Sequence, residues 1–241
     1  DAIDAYQNAL ALDPSDIDTQ FNIGLVQIKA RRFEAAVESL SRAAKRAPGD
    51  AEIWLNLSVA QSETGDTDAA ERSLDQVESH LATLAPPLRA DYAAHRGRMC
   101  RDAANLGGAL EHFRQAGEWQ PEEPRFHLGR GAVHHELGQL EHAERCYDRA
   151  LALSPGSVEA LVNRARLREE QGRWPDALAD RMRAIEIEPE RADVRRALAR
   201  LLRQVHPRQW SVAVADMLLA AYDDSEIDPE DLARATAAQL R

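Results

Sequence analysis

Four histidines, His127, His134, His135 and His142, fall within sixteen residues of one another, and Cys146 follows closely. Imidazole and thiolate are zinc ligands, and a helix presents two of them to one ion at spacings of i, i+3 or i, i+4. Here His127 and His134 are seven apart, as are His135 and His142, and the second pair straddles Gly138. No cysteine or carboxylate completes a tetrahedral set. The chain also lacks a glycine-rich phosphate loop, a nucleophile elbow and an HExxH helix. No metal, no cofactor and no catalytic residue is therefore expected. Cys100 and Cys146 match no disulfide or zinc spacing and read as reduced, buried thiols.

The elements that carry these histidines explain them better. Phe126 to Ser157 reads as two short helices hinged at Gly138 and closed by Pro155, with small residues Gly131, Ala143 and Ala150 where the helices must touch. The same pattern recurs along the chain. Ala2, Ala36, Ala70, Ala109, Ala143 and Ala177 form one column, and Ala9, Ala43, Val77, Ala116, Ala150 and Ala184 a second. Pro14, Pro48, Pro121, Pro155 and Pro189 form a third. Both alanine columns step by 34 residues except for one step of 39, and an insertion at about Ala85 to Arg89, containing Pro86 and Pro87, accounts for both offsets.

A residue with nothing beyond Cβ lets helix axes approach closely. A proline after each second helix removes a backbone donor and ends it. The turns inside the repeats fall at Arg31, Gly65, Ala104, Gly138 and Gly172. This register predicts a lone second helix over 1–14, full repeats over 17–50, 51–84, 90–123, 124–157 and 158–191, and a degenerate one over 192–222. Pro86 and Pro87 open an extended first helix running to about Ala104. An acidic turn and a last helix over 223–241 are expected to lead into a missing downstream region, and the exposed face of 1–14 implies a missing upstream one.

Composition sets limits on function. The 241 residues carry a formal net charge of -11, which opposes binding to nucleic acid or to an anionic membrane. No run of about 18 apolar residues exists to span a bilayer, and the N-terminal stretch has no signal-peptide pattern. A cytoplasmic location follows as the expectation. Lysine occurs only at Lys29 and Lys45 while arginine is abundant, a bias that points to a bacterial source.

With the columns in place, the chain resembles the tetratricopeptide repeat family over roughly residues 1–205. Trp54 and Leu57 match that family's Trp–Leu pair, Gly24, Gly97 and Gly131 its small first-helix residue, and Phe113 and Tyr147 its aromatic four after the alanine. The resemblance implies an all-α, right-handed α-solenoid of helix–turn–helix repeats, about 14 helices in all, with first helices lining a concave groove. Arg96, Arg130 and Arg164 depart from it, standing where leucine is usual, and Arg181 replaces the aromatic of the fifth repeat. The three arginines fit either an anion ladder or bonds to neighbouring helices. The second is favoured, with Asp180 as the candidate partner of Arg164.

On this register the groove set includes Asn22, Asn56, His95, Arg98, Arg125, Asn163, Arg166 and Arg200, with His135 and Glu170 beside them. The amides of Asn22, Asn56 and Asn163 hold equivalent places and suit a peptide backbone, while arginine forks suit carboxylates. The expected partner is an extended protein or peptide segment with apolar and acidic residues. A lysine clamp for the carboxylate tail of chaperones is not expected, because Phe21 and Leu25 occupy the corresponding places. The main reading is a protein-interaction scaffold. The alternative is a non-catalytic substrate-recognition segment of a larger enzyme, for example a transferase acting on proteins. A third reading is self-association through terminal helices.

Overall fold

The computed structural model describes residues 16–204. The helices expected over 1–14 and beyond residue 206, and any self-association through them, lie outside the described residues. The chain divides into two compact units, Asp1–Pro121 and Glu122–Arg241. Among the described residues it is all-α, with eleven α-helices and no strand. The expected total of about 14 included helices in the flanking stretches.

The first unit contains α1 (Ile17–Lys29), α2 (Phe33–Arg46), α3 (Ala51–Glu63), α4 (Thr67–Glu78), α5 (Pro86–Asp102) and α6 (Leu106–Trp119). The second contains α7 (Pro124–Glu136), α8 (Leu140–Leu153), α9 (Val158–Glu170), α10 (Trp174–Ile187) and α11 (Ala192–Gln204). The odd-numbered helices are first helices: α1, α3, α5, α7 and α9 each pack antiparallel on the second helix that follows, and α11 packs on α10.

Local sequence fixes the helix ends. Asp16, Asp50, Asp66, Asn105 and Ser157 accept backbone N–H groups at the starts of α1, α3, α4, α6 and α9, satisfying donors that have no partner inside the helix. Proline opens α5 and α7 and stands in the first turn of α10, where its missing N–H costs nothing. The five-residue insertion is absorbed before and at the start of α5, which has 17 residues where α3 has 13. Arg89 secures this junction, its Nε donating to Leu84 O at 2.8 Å and its Nη2 to Ala82 O at 2.5 Å.

Packing follows the columns. Ala36, Ala70, Ala109, Ala143 and Ala177, and Ala43, Val77, Ala116, Ala150 and Ala184, are all 0% exposed. In three of the pairs a first-helix glycine, Gly24, Gly97 or Gly131, meets a bulky second-helix side chain. A Cβ on Gly131 would lie 2.6 Å from Tyr147 Cε1, and one on Gly24 2.5 Å from Leu40 Cγ. At such distances overpacking outweighs the better helix propensity of alanine.

Every turn within a pair passes through the left-handed region, at Gly65, Gly138 and Gly172 and also at Arg31 (φ 56°) and Ala104 (φ 58°). A residue with a Cβ is strained there by roughly 1–2 kcal/mol. Glycine relieves this at some entropic cost in the unfolded chain. Ala104→Gly is accordingly expected to raise stability by about 1 kcal/mol, read as a higher urea midpoint. An unchanged or lower midpoint would show that the turn is not limiting.

Candidate peptide-binding faces of the two units

Each first helix buries one stripe against second helices, and the side turned away from them is the candidate binding face. In the first unit α3 touches α1 and α5, and in the second α7 touches α9. Asn22 on α1 and Asn56 on α3 are half-buried, and Arg98 on α5 is exposed. In the second unit Arg125, Arg166 and Arg200 are exposed and Asn163 is half-buried. Asn56 Nδ2 donates to Glu52 O of its own helix at 2.9 Å. That fixes the amide and leaves it one N–H and its carbonyl oxygen. Arg125 lies over the Phe126 ring at 4.7 Å and pairs with Glu123 at 3.4 Å.

His95 stands differently from the other seven. It is 3% exposed, turned inward between α5 and α3. Its Nε2 lies 2.9 Å from Ser58 Oγ, and Ser58 Oγ donates to Ala70 O at 2.8 Å. Because the hydroxyl proton is committed to the carbonyl, the imidazole must carry its hydrogen on Nε2 and donate it to Ser58. Nδ1 is then the acceptor, and it faces the Arg98 guanidinium at 3.3 Å.

A serine against a histidine at this distance has the look of an activated nucleophile. The polarity is wrong for that. Ser58 is 0% exposed, its proton points away from the imidazole, and the far nitrogen meets a cation where an orienting carboxylate would be needed. The group instead ties α3 to α5 and holds Arg98 at their junction. In the second unit His135 Nε2 meets Glu170 Oε2 at 2.8 Å and ties α7 to α9. Neither bridge was visible as such in the sequence, though a serine in the middle of a buried helix stripe is a signal for one.

The arginine column is structural in the described units. Arg164 grips Asp180 with two bonds, Nε to Oδ2 at 2.9 Å and Nη2 to Oδ1 at 2.6 Å, as the sequence proposed, and adds Asp148 at 2.6 Å. Arg168 reaches the same Asp180 at 2.7 Å and Glu144 at 3.0 Å, and Arg173 shares Glu144 at 2.7 Å. Arg96 bonds Asp75, Glu78 and the Tyr92 hydroxyl, and Arg130 Nε donates to Cys146 Sγ at 3.3 Å. Arg181, in place of the aromatic, is 5% exposed and bonds Glu169 at 2.9 Å. Packing there is sustained by an ion pair.

The geometry does not gather the four histidines around one point. His134 and His142 meet with ring centroids 5.2 Å apart, His134 Nδ1 is 2.7 Å from Gln139 Oε1, and His135 is buried against Tyr147 and Glu170. Among the described residues no three histidine, cysteine or acidic side chains gather to hold a metal ion. No helix among them is long and apolar enough to cross a membrane.

Two outcomes are expected. Asp180→Asn leaves Arg164 and Arg168 without their shared counter-charge and should cost about 3 kcal/mol, seen as a lowered melting temperature with helicity retained below it. The second concerns pH. Burial, then the charges of Arg98 and Arg96, push His95 down from 6.5 to about 3, with the bond to Ser58 opposing them. Below its ordinary value the unfolded chain takes up a proton that folded His95 refuses. Stability contributed by this group therefore falls by about 1.4 kcal/mol per pH unit between those two values. His95→Gln keeps a donor for Ser58 and should show a smaller loss of urea midpoint between neutral pH and pH ~5. An equal loss would place the effect elsewhere.

Models of the tetratricopeptide repeat match residues 1–51 and 101–157, residues 27–83, and residues 131–203, together more than half of the chain. A human protein O-mannosyl-transferase, TMTC1, is 26% identical over 167 residues, which is 69% of this chain and 19% of that protein. The chain thus spans under a fifth of this curated relative's length. Among solved structures, a thermophilic repeat protein of Thermus thermophilus superposes with a TM-score of 0.64 at 26% identity, covering 78% of this chain and 99% of that one. YrrB, described as having an unusual peptide-binding site, superposes at 0.50 with 16% identity, covering 80% and 97%. Helix pairs, buried alanine columns and these matches agree, and the chain belongs to the tetratricopeptide repeat family.

Proposed function

We propose that the chain is a protein-interaction module without catalysis of its own, and that each unit receives an extended segment on its first-helix face. One contrast carries this reading. Among the arginines that hold helices together, Arg164, Arg168, Arg173, Arg181 and Arg191 are neutralised by carboxylates, while Arg130 bonds the Cys146 thiol. Arg166 and Arg200, on the outward side of α9 and α11, are exposed and form no ion pair among the described residues. In a chain with net charge -11, cations left unneutralised on one face favour an acidic segment, and arginine forks fit its carboxylates. Asn56 and Asn163 add amide donors and acceptors that engage a backbone without reading its sequence. YrrB supports peptide binding as a use of this fold.

A second reading follows from the human relative. Its likeness to this chain covers a small part of a transferase. On that pattern the repeats would be the substrate-recognition segment of a larger enzyme acting on proteins. The two readings share the same faces and differ in what is attached to them. Capture of partners with the intact protein, followed by rebinding to separate variants, tests both. Asn56→Ala in the first unit, or Asn163→Ala with Arg166→Glu in the second, should weaken a verified partner at least tenfold. Full retention by both variants would overturn the face assignment.

A further inference from the structure

A second surface lies on the opposite side of the first unit. Asn56 and Trp54 are two residues apart on α3, which sets them about 200° apart around the helix axis. Trp54 therefore points away from the face that carries Asn56, toward the cleft between α2 and α4. That cleft is a cavity of about 300 Å³, at the small end of sites that enclose a ligand group. Ala44, Trp54, Leu57 and Ala69 line it with apolar surface, and Ser41, Gln61, Ser73 and Gln76 complete the wall, Ser73 Oγ donating to Gln61 Oε1 at 2.7 Å. The indole is held in place, its Nε1 donating to Pro48 O at 2.9 Å, and the residue remains partly exposed.

The rim is cationic. Lys45 on α2 and Arg72 on α4 are exposed, face the cavity from its two sides, and form no ion pair among the described residues. Two carboxylates near them are engaged elsewhere. Arg42, one turn before Lys45, is paired with Glu38, and Asp75, three residues after Arg72, binds Arg96. An apolar floor under two unneutralised cations is complementary to one kind of occupant.

We infer that the α2–α3–α4 cavity is a second docking site, which takes an apolar side chain of a partner polypeptide flanked by carboxylates. The apolar group fills the space beside Trp54 and leaves water, and the carboxylates meet Lys45 and Arg72 at the rim. This site is independent of the first-helix faces.

The test uses the whole chain and a fluorescein-labelled DDLFDD peptide, followed by fluorescence anisotropy. Saturable binding is expected, weakened at least tenfold by Lys45→Glu with Arg72→Glu and by Ser41→Phe, which fills the cavity from α2. Arg114→Gln removes an exposed cation outside both surfaces and should leave it unchanged, and circular dichroism verifies that each variant is folded. Lys45→Gln with Arg72→Gln provides a milder pair if charge reversal perturbs the fold. Absence of binding at millimolar peptide overturns the inference. Equal binding of KKLFKK or of DDSGDD does so as well, as does an equal loss of binding in Arg114→Gln.

Discussion

The structure depends on how closely two antiparallel helices approach inside each pair. With the chain reversing at a left-handed residue, positions equidistant from the turn come face to face. Gly24 meets Leu40, Gly97 meets Phe113 and Gly131 meets Tyr147, each pair sixteen residues apart. A bulky second-helix side chain fills the gap a glycine leaves, so neither helix can move outward without opening a void. The alanine columns extend this contact along and between pairs. What remains for each first helix is the side turned from its partners, which is why side chains there are open to other uses.

The same symmetry organises the polar contacts. Arg130 and Cys146, and Arg164 and Asp180, are also sixteen apart. Ser58 and Ala70, Arg168 and Asp180, and Arg181 and Glu169 are twelve apart, nearer the turn. Buried charge is costly unless paired and hydrogen-bonded. Asp180, at 4% exposure, is tolerated because two guanidiniums surround it. Arginine serves here because its fork bonds several carboxylates at once while its stem still packs like an apolar side chain.

Much of this was legible in the sequence, for a physical reason. Close approach tolerates few residue types, so alanine and glycine recur at fixed spacing and mark the contacts wherever they occur. The turn at Ala104 was found from spacing although alanine is a poor residue for it. Asp180 was identifiable as the partner of Arg164 because a packing register pairs positions across the turn. The helix faces were harder to read. Adjacent positions on a first helix differ by 100° and the boundary between outward and inward is narrow, which is why His95 was placed on a face that it leaves for Ser58. The bridges from His95 to Ser58 and from His135 to Glu170 join neighbouring first helices, 37 and 35 residues apart. Repeat symmetry does not predict them, because each occurs once.

Those single-occurrence residues are where function can differ from repeat to repeat. The columns are alike in every pair and so carry no address for a partner. Trp54 and Lys45, by contrast, belong to one cavity in the first unit, and Arg166 to one face in the second. A first helix is narrow enough to serve both of its remaining sides: α3 presents Asn56 on one and Trp54 on the other, with the buried stripe of Ile53, Leu57 and Ala60 between them. Because that stripe is held by second helices on either side, a ligand at one surface need not disturb the other. The stacking that makes the fold repetitive thus leaves two chemically different surfaces on the same short helix.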